Sequence, residues 1–186
     1  MGIVGTDVSM SLDGFITGPG DAAGRLHDWV FGGDDREHAL LAEAAEDLGA
    51  VVMGRRTFDV VYGPQGWTGP NGPMRVTVFV LTHEERPAEK QGETEFRFVT
   101  EGPLAALEEA RKEAGDKGVY VMGANATQQF VRDGLLDEIH IHLVPVLLGG
   151  GTRLFDHLGE DDPVGLEQVA AVTTSNATHL RYRVRR

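Results

Sequence analysis

Hydrophobic and polar positions run along this chain in short blocks whose period changes in a regular order. Residues 3–10 are apolar or small and read as a strand, while the glycine-rich stretch 11–20 behind them cannot continue as regular structure. Asp34 and Asp35 can cap a helix and complement its dipole, after which Leu41, Ala44, Ala45 and Leu48 recur on one face until Gly49 ends it. A second strand, 50–54, runs straight into a helical stretch over 55–61 that Gly63-Pro64 breaks. Residues 62–73 read as a loop, and the β-branched run 76–81 predicts a third strand ending at Thr82-His83.

The alternation continues. Residues 96–99 predict a fourth strand, Pro103 starts a helix carrying Leu104, Leu107, Ala110 and Ala114, and 119–122 predict a fifth strand. After Gly123 a helix runs to about Asp133 with Phe130 and Val131 inward, followed by a long strand region over 138–148 that bends at Pro145. Residues 166–173 and 177–186, separated at Ser175-Asn176, form a closing hairpin. In its second run Leu180, Tyr182 and Val184 face one way, while Arg181, Arg183 and Arg185 form the wet face of an edge strand. Strands alternating with helices predict a three-layer α/β/α fold with a mainly parallel central sheet and a C-terminal antiparallel hairpin, the whole of 1–186 forming one domain.

Composition narrows the function classes. The 186 residues carry 17 Lys+Arg against 29 Asp+Glu, a net charge of −12, which argues against nucleic acid as a partner. With 41% hydrophobic residues the chain can bury a substantial core, and with no Cys it has no disulfide, zinc ribbon, iron–sulfur cluster or thiol nucleophile. No stretch approaches bilayer-spanning length and no leader pattern opens the chain, so no membrane partner and a cytoplasmic location are expected.

Chemistry is expected at the two strand-to-helix junctions, where unpaired N–H groups and a positive dipole end suit a phosphate and glycine admits a ligand to the backbone. The first junction is Val52-Met53-Gly54-Arg55-Arg56-Thr57-Phe58, which adds two guanidinium groups and a hydroxyl. The second is Val121-Met122-Gly123-Ala124-Asn125-Ala126-Thr127. Glu138, His140 and His142 share one strand face at a spacing a metal could use, but ordinary strand histidines explain them better and no metal is assigned. Trp29, Phe31 and Trp67 sit in glycine-bearing segments and can either stack on a planar ligand or pin a loop. Gly149-Gly150-Gly151 reads as a chain reversal bordering the site.

These segments, with Val8-Ser9-Met10-Ser11-Leu12-Asp13-Gly14-Phe15-Ile16 and the run from Leu136-Asp137-Glu138-Ile139 through Pro145 to Gly151, resemble the dihydrofolate-reductase-like superfamily. Within it the chain is most similar to the reductase domain of the bifunctional riboflavin-biosynthesis deaminase/reductase and its stand-alone relatives. The resemblance implies NADPH as hydride donor, a heteroaromatic or ribosylaminopyrimidine small-molecule substrate, and a homodimer. By the same resemblance, Gly54, Arg55, Arg56 and Thr57 serve the adenosine side, with Arg55 for the 2′-phosphate and Thr57 for the pyrophosphate. Gly123, Ala124, Asn125 and Ala126 form a second phosphate turn, and Leu81, Thr82 and His83 lie beside the adenine ribose. Ser9, Ile16 and Thr17 surround the nicotinamide, and Ser9, Asp13 and Asp34 are the catalytic candidates. Dihydrofolate reductases place an acid on the first helix; Asp34 and Asp35 are equally explained as helix-start residues. Reduction of dihydrofolate or another pterin, and a non-catalytic nucleotide-binding dimer, are the alternative functions.

Overall fold

The computed structural model describes residues 2–62, 67–69, 72–158 and 163–185, with backbone only for 21–23. The strands are β1 (Val4–Ser11), β2 (Leu48–Gly54), β3 (Thr68–Gly69), β4 (Gly72–Pro73), β5 (Thr77–Leu81), β6 (Glu89–Gln91), β7 (Thr94–Val99), β8 (Gly118–Met122), β9 (Glu138–Val144), β10 (Leu166–Thr173) and β11 (Thr178–Val184). The helices are α1 (Asp28–Gly32), α2 (Asp35–Asp47), α3 (Arg55–Val61), α4 (Pro103–Ala114) and α5 (Ala124–Arg132), with a 3-10 stretch, Gly20–His27, before α1. Nine strands form one sheet in the order β10-β11-β9-β1-β8-β2-β5-β7-β6. The six central strands are parallel; β11 pairs antiparallel with β9, β10 with β11, and β6 with β7 at the far edge. The expected α/β architecture with its C-terminal antiparallel hairpin is present.

Strand periodicity sorts the core. Ala50 and Val52 of β2 join Phe79, Val119 and Val121 against Ala106, Leu107 and Ala110 of α4 and Phe130 of α5. Val51 and Met53 point the other way, with Val78, Val80 and Phe96, against Phe58 of α3. Each fully buried side chain of this size contributes about 1.5–3 kcal/mol of transfer free energy. A third, smaller cluster gathers Leu26, Trp29, Val144 and Ala177 beneath the segment before α2.

Local chemistry sets the helix starts. Asp34 caps α2 by accepting from the N–H groups of Arg36 and Glu37, and Glu37 returns the favour to the Asp34 N–H, a reciprocal capping box. Pro103 occupies the first turn of α4, where its missing N–H costs no helical bond.

Several boundaries differ from the sequence expectation. Leu48 opens β2 rather than closing α2, because pairing with Gly118 of β8 begins there. Ala45 is exposed, as is Leu104 at 57%, so α2 and α4 present narrower apolar stripes than their spacing suggests. β6, an edge strand too short and polar to show in the pattern, pairs with β7. β9 ends at Val144 rather than bending through Pro145. The expected break at Gly63-Pro64 lies outside the described residues.

Candidate nucleotide site

β2 and β8 are parallel neighbours in register at Val52↔Val121 and Met53↔Met122, so the two strand-to-helix turns emerge side by side at the carboxyl edge of the sheet. Gly54 is the N-cap of α3 and Gly123 that of α5, and neither helix start is capped by a side chain. Their first N–H groups are therefore left for a ligand or water. Gly54 has an extended backbone, and a Cβ added there would meet open space. Gly123 sits at φ 88°, and any side chain on it would collide with Thr57 Oγ1. The Thr57 hydroxyl thus stands over the Gly123 turn, and the first turns of α3 and α5 form one glycine-floored notch.

The flanking residues are placed as follows. Leu81 pairs beside Gly54, Thr82 donates its N–H to Val99 and accepts at its hydroxyl from the N–H of Glu84, and His83 is exposed. Next to this strand end lies an open depression of about 500 Å³ lined by Glu85, Arg86, Pro87, Phe98, Thr100 and Glu101. Arg86 stacks 4.5 Å over Phe98 and pairs with Glu89 at 2.5 Å. Arg55 donates to Asp59 at 2.9 Å and lies 3.6 Å from Glu84, so a phosphate there must compete with two carboxylates. Arg56 is exposed and has no ion-pair partner among the described residues. Asn125 is exposed, its side chain turned along α5 to accept from Gln129, while Ala124 and Ala126 are buried.

The proposed nicotinamide and catalytic residues divide. Ser9 is buried and accepts from Trp29 Nε1 at 2.9 Å. Ile16 and Thr17 are tied to the loop after the glycine run: the Ile16 N–H donates to the Thr152 carbonyl and Thr17 Oγ1 accepts from the Thr152 N–H. Asp13 accepts from the Ser11 hydroxyl and from the N–H groups of Leu148 and Gly149, bonds that hold its carboxyl down to about 2. The amides at Leu148 and Gly149 thus already hold an anion, the chain's own Asp13, and Arg153 on Phe15 completes that clamp. Asp34 accepts from the Ser175 hydroxyl as well as the two capping amides, which lowers its pKa and accounts for it as a helix start. Burial works to raise Glu37, but hydrogen bonds from Thr174, Asn176 and the Asp34 N–H hold it below the usual range. The carboxylates of Asp34 and Glu37 are therefore both committed to protein partners, while Asp35 is exposed on the first turn of α2. Of the aromatics, Trp29 is 2% exposed and packs on His142 and His179, Trp67 is half-buried beside the Phe58 cluster, and Phe31 is exposed.

The structure also assembles what the residue pattern only hinted at. Asp7 on β1 lies 2.7 Å from His142 Nε2 and 3.5 Å from His140 Nδ1. Glu138 accepts from Arg181 Nε at 2.6 Å with Arg183 at 3.6 Å, so the arginine stripe answers a buried carboxylate rather than forming a purely wet face. Each of Glu138, His140 and His142 has a protein partner, and no group of three His, Asp or Glu among the described residues is arranged to hold a metal. Period-2 spacing of Asp7 with Ser9 and of Glu138 with the two histidines was the available signal; that the two sets face each other needed the pairing of β1 with β9.

Comparison with known proteins bears on this arrangement. The profile of the family described as RibD C-terminal domain matches residues 3–180. The YwjB protein of Bacillus subtilis strain 168, itself uncharacterized, is 26% identical over 161 residues, covering 86% of each chain. A crystal structure from Shewanella sp. PV-4, carrying a provisional riboflavin-biosynthesis name, superposes with a TM-score of 0.75 at 25% identity over 99% of both chains. The diaminohydroxyphosphoribosylaminopyrimidine deaminase/5-amino-6-(5-phosphoribosylamino)uracil reductase of Thermotoga maritima matches with a TM-score of 0.69 at 16% identity. That match takes in 98% of this chain and 56% of the longer one.

Proposed function

This chain belongs to the RibD C-terminal domain family, a family of reductases, and from that premise we propose that it is an NADPH-dependent reductase of a small heteroaromatic or ribosylaminopyrimidine molecule. The reaction we assign resembles that of 5-amino-6-(5-phosphoribosylamino)uracil reductase. The observation that carries this reading is the paired notch: two glycine turns on neighbouring strands, one open to space and one roofed by the Thr57 hydroxyl. A dinucleotide diphosphate suits such a floor, because a chain with no Cβ at these two points lets the phosphates reach the free N–H groups.

In this reading the amides at the start of α5, with Thr57, would hold the diphosphate, and Leu81, Thr82 and His83 would flank the adenosine end. Arg56 and Arg55 would serve the 2′-phosphate, Arg55 after giving up its contact with Glu84. When bound, the cofactor supplies a hydride from C4 of its nicotinamide. The protein's part is to hold the reactants in line and exclude water. Ser9, its oxygen fixed by the Trp29 N–H, keeps its own hydroxyl proton to donate to a substrate. The Asp13 clamp holds the loop that carries Ile16 and Thr17. A pterin substrate is the less fitting choice, since every carboxylate bond of Asp34 and Glu37 is directed into the capping box and the β10–β11 turn.

A homodimer goes with this proposal: β10 leaves both faces largely uncovered, with Leu166 and Val169 each 41% exposed. The test of the reaction is loss of reduced-nicotinamide absorbance on addition of a ribosylaminopyrimidinone, with dihydrofolate in parallel. Turnover of the first and not the second is expected; turnover of dihydrofolate alone would overturn the assignment.

A further inference from the structure

His142 on β9 and His179 on β11 are directly paired across their antiparallel strands, on the sheet face opposite Phe130. Their Nδ1 atoms are 2.7 Å apart. At that separation one nitrogen must carry a proton and the other a lone pair. The outer nitrogens have fixed partners as well. His142 Nε2 is 2.7 Å from Asp7 Oδ1, and His179 Nε2 is 3.0 Å from Thr174 Oγ1.

Each end of this row terminates in a carboxylate. Burial works to raise Asp7, but the charge of His142 and hydrogen bonds with His140 and His142 hold it well below the ordinary range, so it accepts and His142 Nε2 donates. Glu37 accepts from the N–H groups of Asp34 and Asn176 and from Asn176 Nδ2, bonds that only an ionised carboxylate uses fully. Thr174 Oγ1 is 2.6 Å from Glu37 Oε1 and 2.9 Å from the Ala177 carbonyl, so its single proton goes to one of these two acceptors. The hydroxyl oxygen is then left to accept, and His179 Nε2 must donate. Both Nε2 atoms therefore carry protons and a third lies between the two Nδ1 atoms. Two neutral imidazoles carry only two.

We propose that His142 and His179 together hold one excess proton, shared between their facing Nδ1 atoms. We further propose that this cation, set between Asp7 and Glu37, is a pH-sensitive clasp joining β1, β9, the start of α2 and the β10–β11 turn.

The groups around the pair fit one added charge and not two. From β1 comes Asp7; from β9, His140 and Glu138, the latter neutralised by Arg181 of β11; from α2, Glu37 and Asp34, with Arg36 reaching the Thr173 carbonyl. Trp29 of α1, uncharged, lies 4.3 Å from the His142 ring and 5.0 Å from that of His179, while its neighbours His27 and Asp28 are exposed. A second proton is resisted: burial and the charge of His142 both push His179 down. Because both outer nitrogens must donate, the hydrogen-bond pattern needs the third proton, and the clasp comes undone when rising pH removes it.

The experiment is imidazole nitrogen NMR on the full chain at neutral pH, with Trp29 fluorescence followed against pH in a Trp67→Phe background. Expected are three protonated and one bare nitrogen across the two rings, and a strongly deshielded shared proton. Expected too is Trp29 emission quenched by the stacked cation and released in one step at high pH. Asp7→Asn should move that step down by about one to two pH units. One N–H on each ring at neutral pH would overturn the proposal, and so would a Trp29 step that Asp7→Asn leaves in place.

Discussion

On one side of the sheet β1 presents Val4 and Val8 to an apolar layer under α4 and α5, and its Thr6 hydroxyl is satisfied by the Val121 carbonyl. On the other side, one residue out of phase, the same strand presents Asp7, Ser9 and Ser11, and the layer beneath α1 and the start of α2 is a network of carboxylates, imidazoles and hydroxyls. The first side is held by packing, which is non-directional and proportional to buried area. The second is held by bonds whose donors and acceptors must match one for one, and it costs free energy when a single partner is lost. The glycine-floored notch opens at the strand ends where these two layers meet: α5 comes from the packed side, and Ser9, behind Trp29, from the polar one.

Breaking each side should expose the difference. Phe130→Ala, which removes a fully buried ring from the packed side, is expected to cost about 3–5 kcal/mol in denaturant unfolding. Asp7→Ala leaves an imidazole without its acceptor and is expected to cost about 1–3 kcal/mol; joint replacement of Asp7 and His142 by apolar residues should cost less than the sum of the single changes. Asp34→Ala removes the α2 cap and should cost about 1 kcal/mol. Glu37→Gln is read from its pH dependence in acid. Glu37 is held below its unfolded value, so its contribution is present above the ordinary carboxylate range and lost as the pH falls through its folded pKa. Unfolding curves of Glu37→Gln should therefore have a flatter acid limb than wild type.

The packed side was legible in the residues, and the polar side was not. Val51 and Met53 against Ala50 and Val52, Pro103 at a helix start and the glycines at 54 and 123 carry their structural meaning locally, through strand period and backbone conformation. Polar alternation reads the same whether a face is wet or buried, so Arg181 and Arg183 look like solvent residues until Glu138 is seen beneath them. Trp29, in the short α1, and Asp13, in the turn after β1, have partners far away in sequence: Trp29 meets His179, and Asp13 meets Gly149. Arg55 carries a phosphate-binding look in its motif, but its neighbour Glu84 comes from the end of another strand.

The claim on which the function rests is that the Gly54 and Gly123 turns together receive a dinucleotide diphosphate. Gly54→Val tests it most directly, since the backbone there is extended and a Cβ meets open space, so the fold is expected to stand while the notch is filled. Titration of NADPH by fluorescence should give saturable binding to the wild-type chain, weakened by roughly tenfold or more, about 1.4 kcal/mol, in the variant. Equal affinity in both chains, or no binding to the wild type at millimolar cofactor, would contradict it.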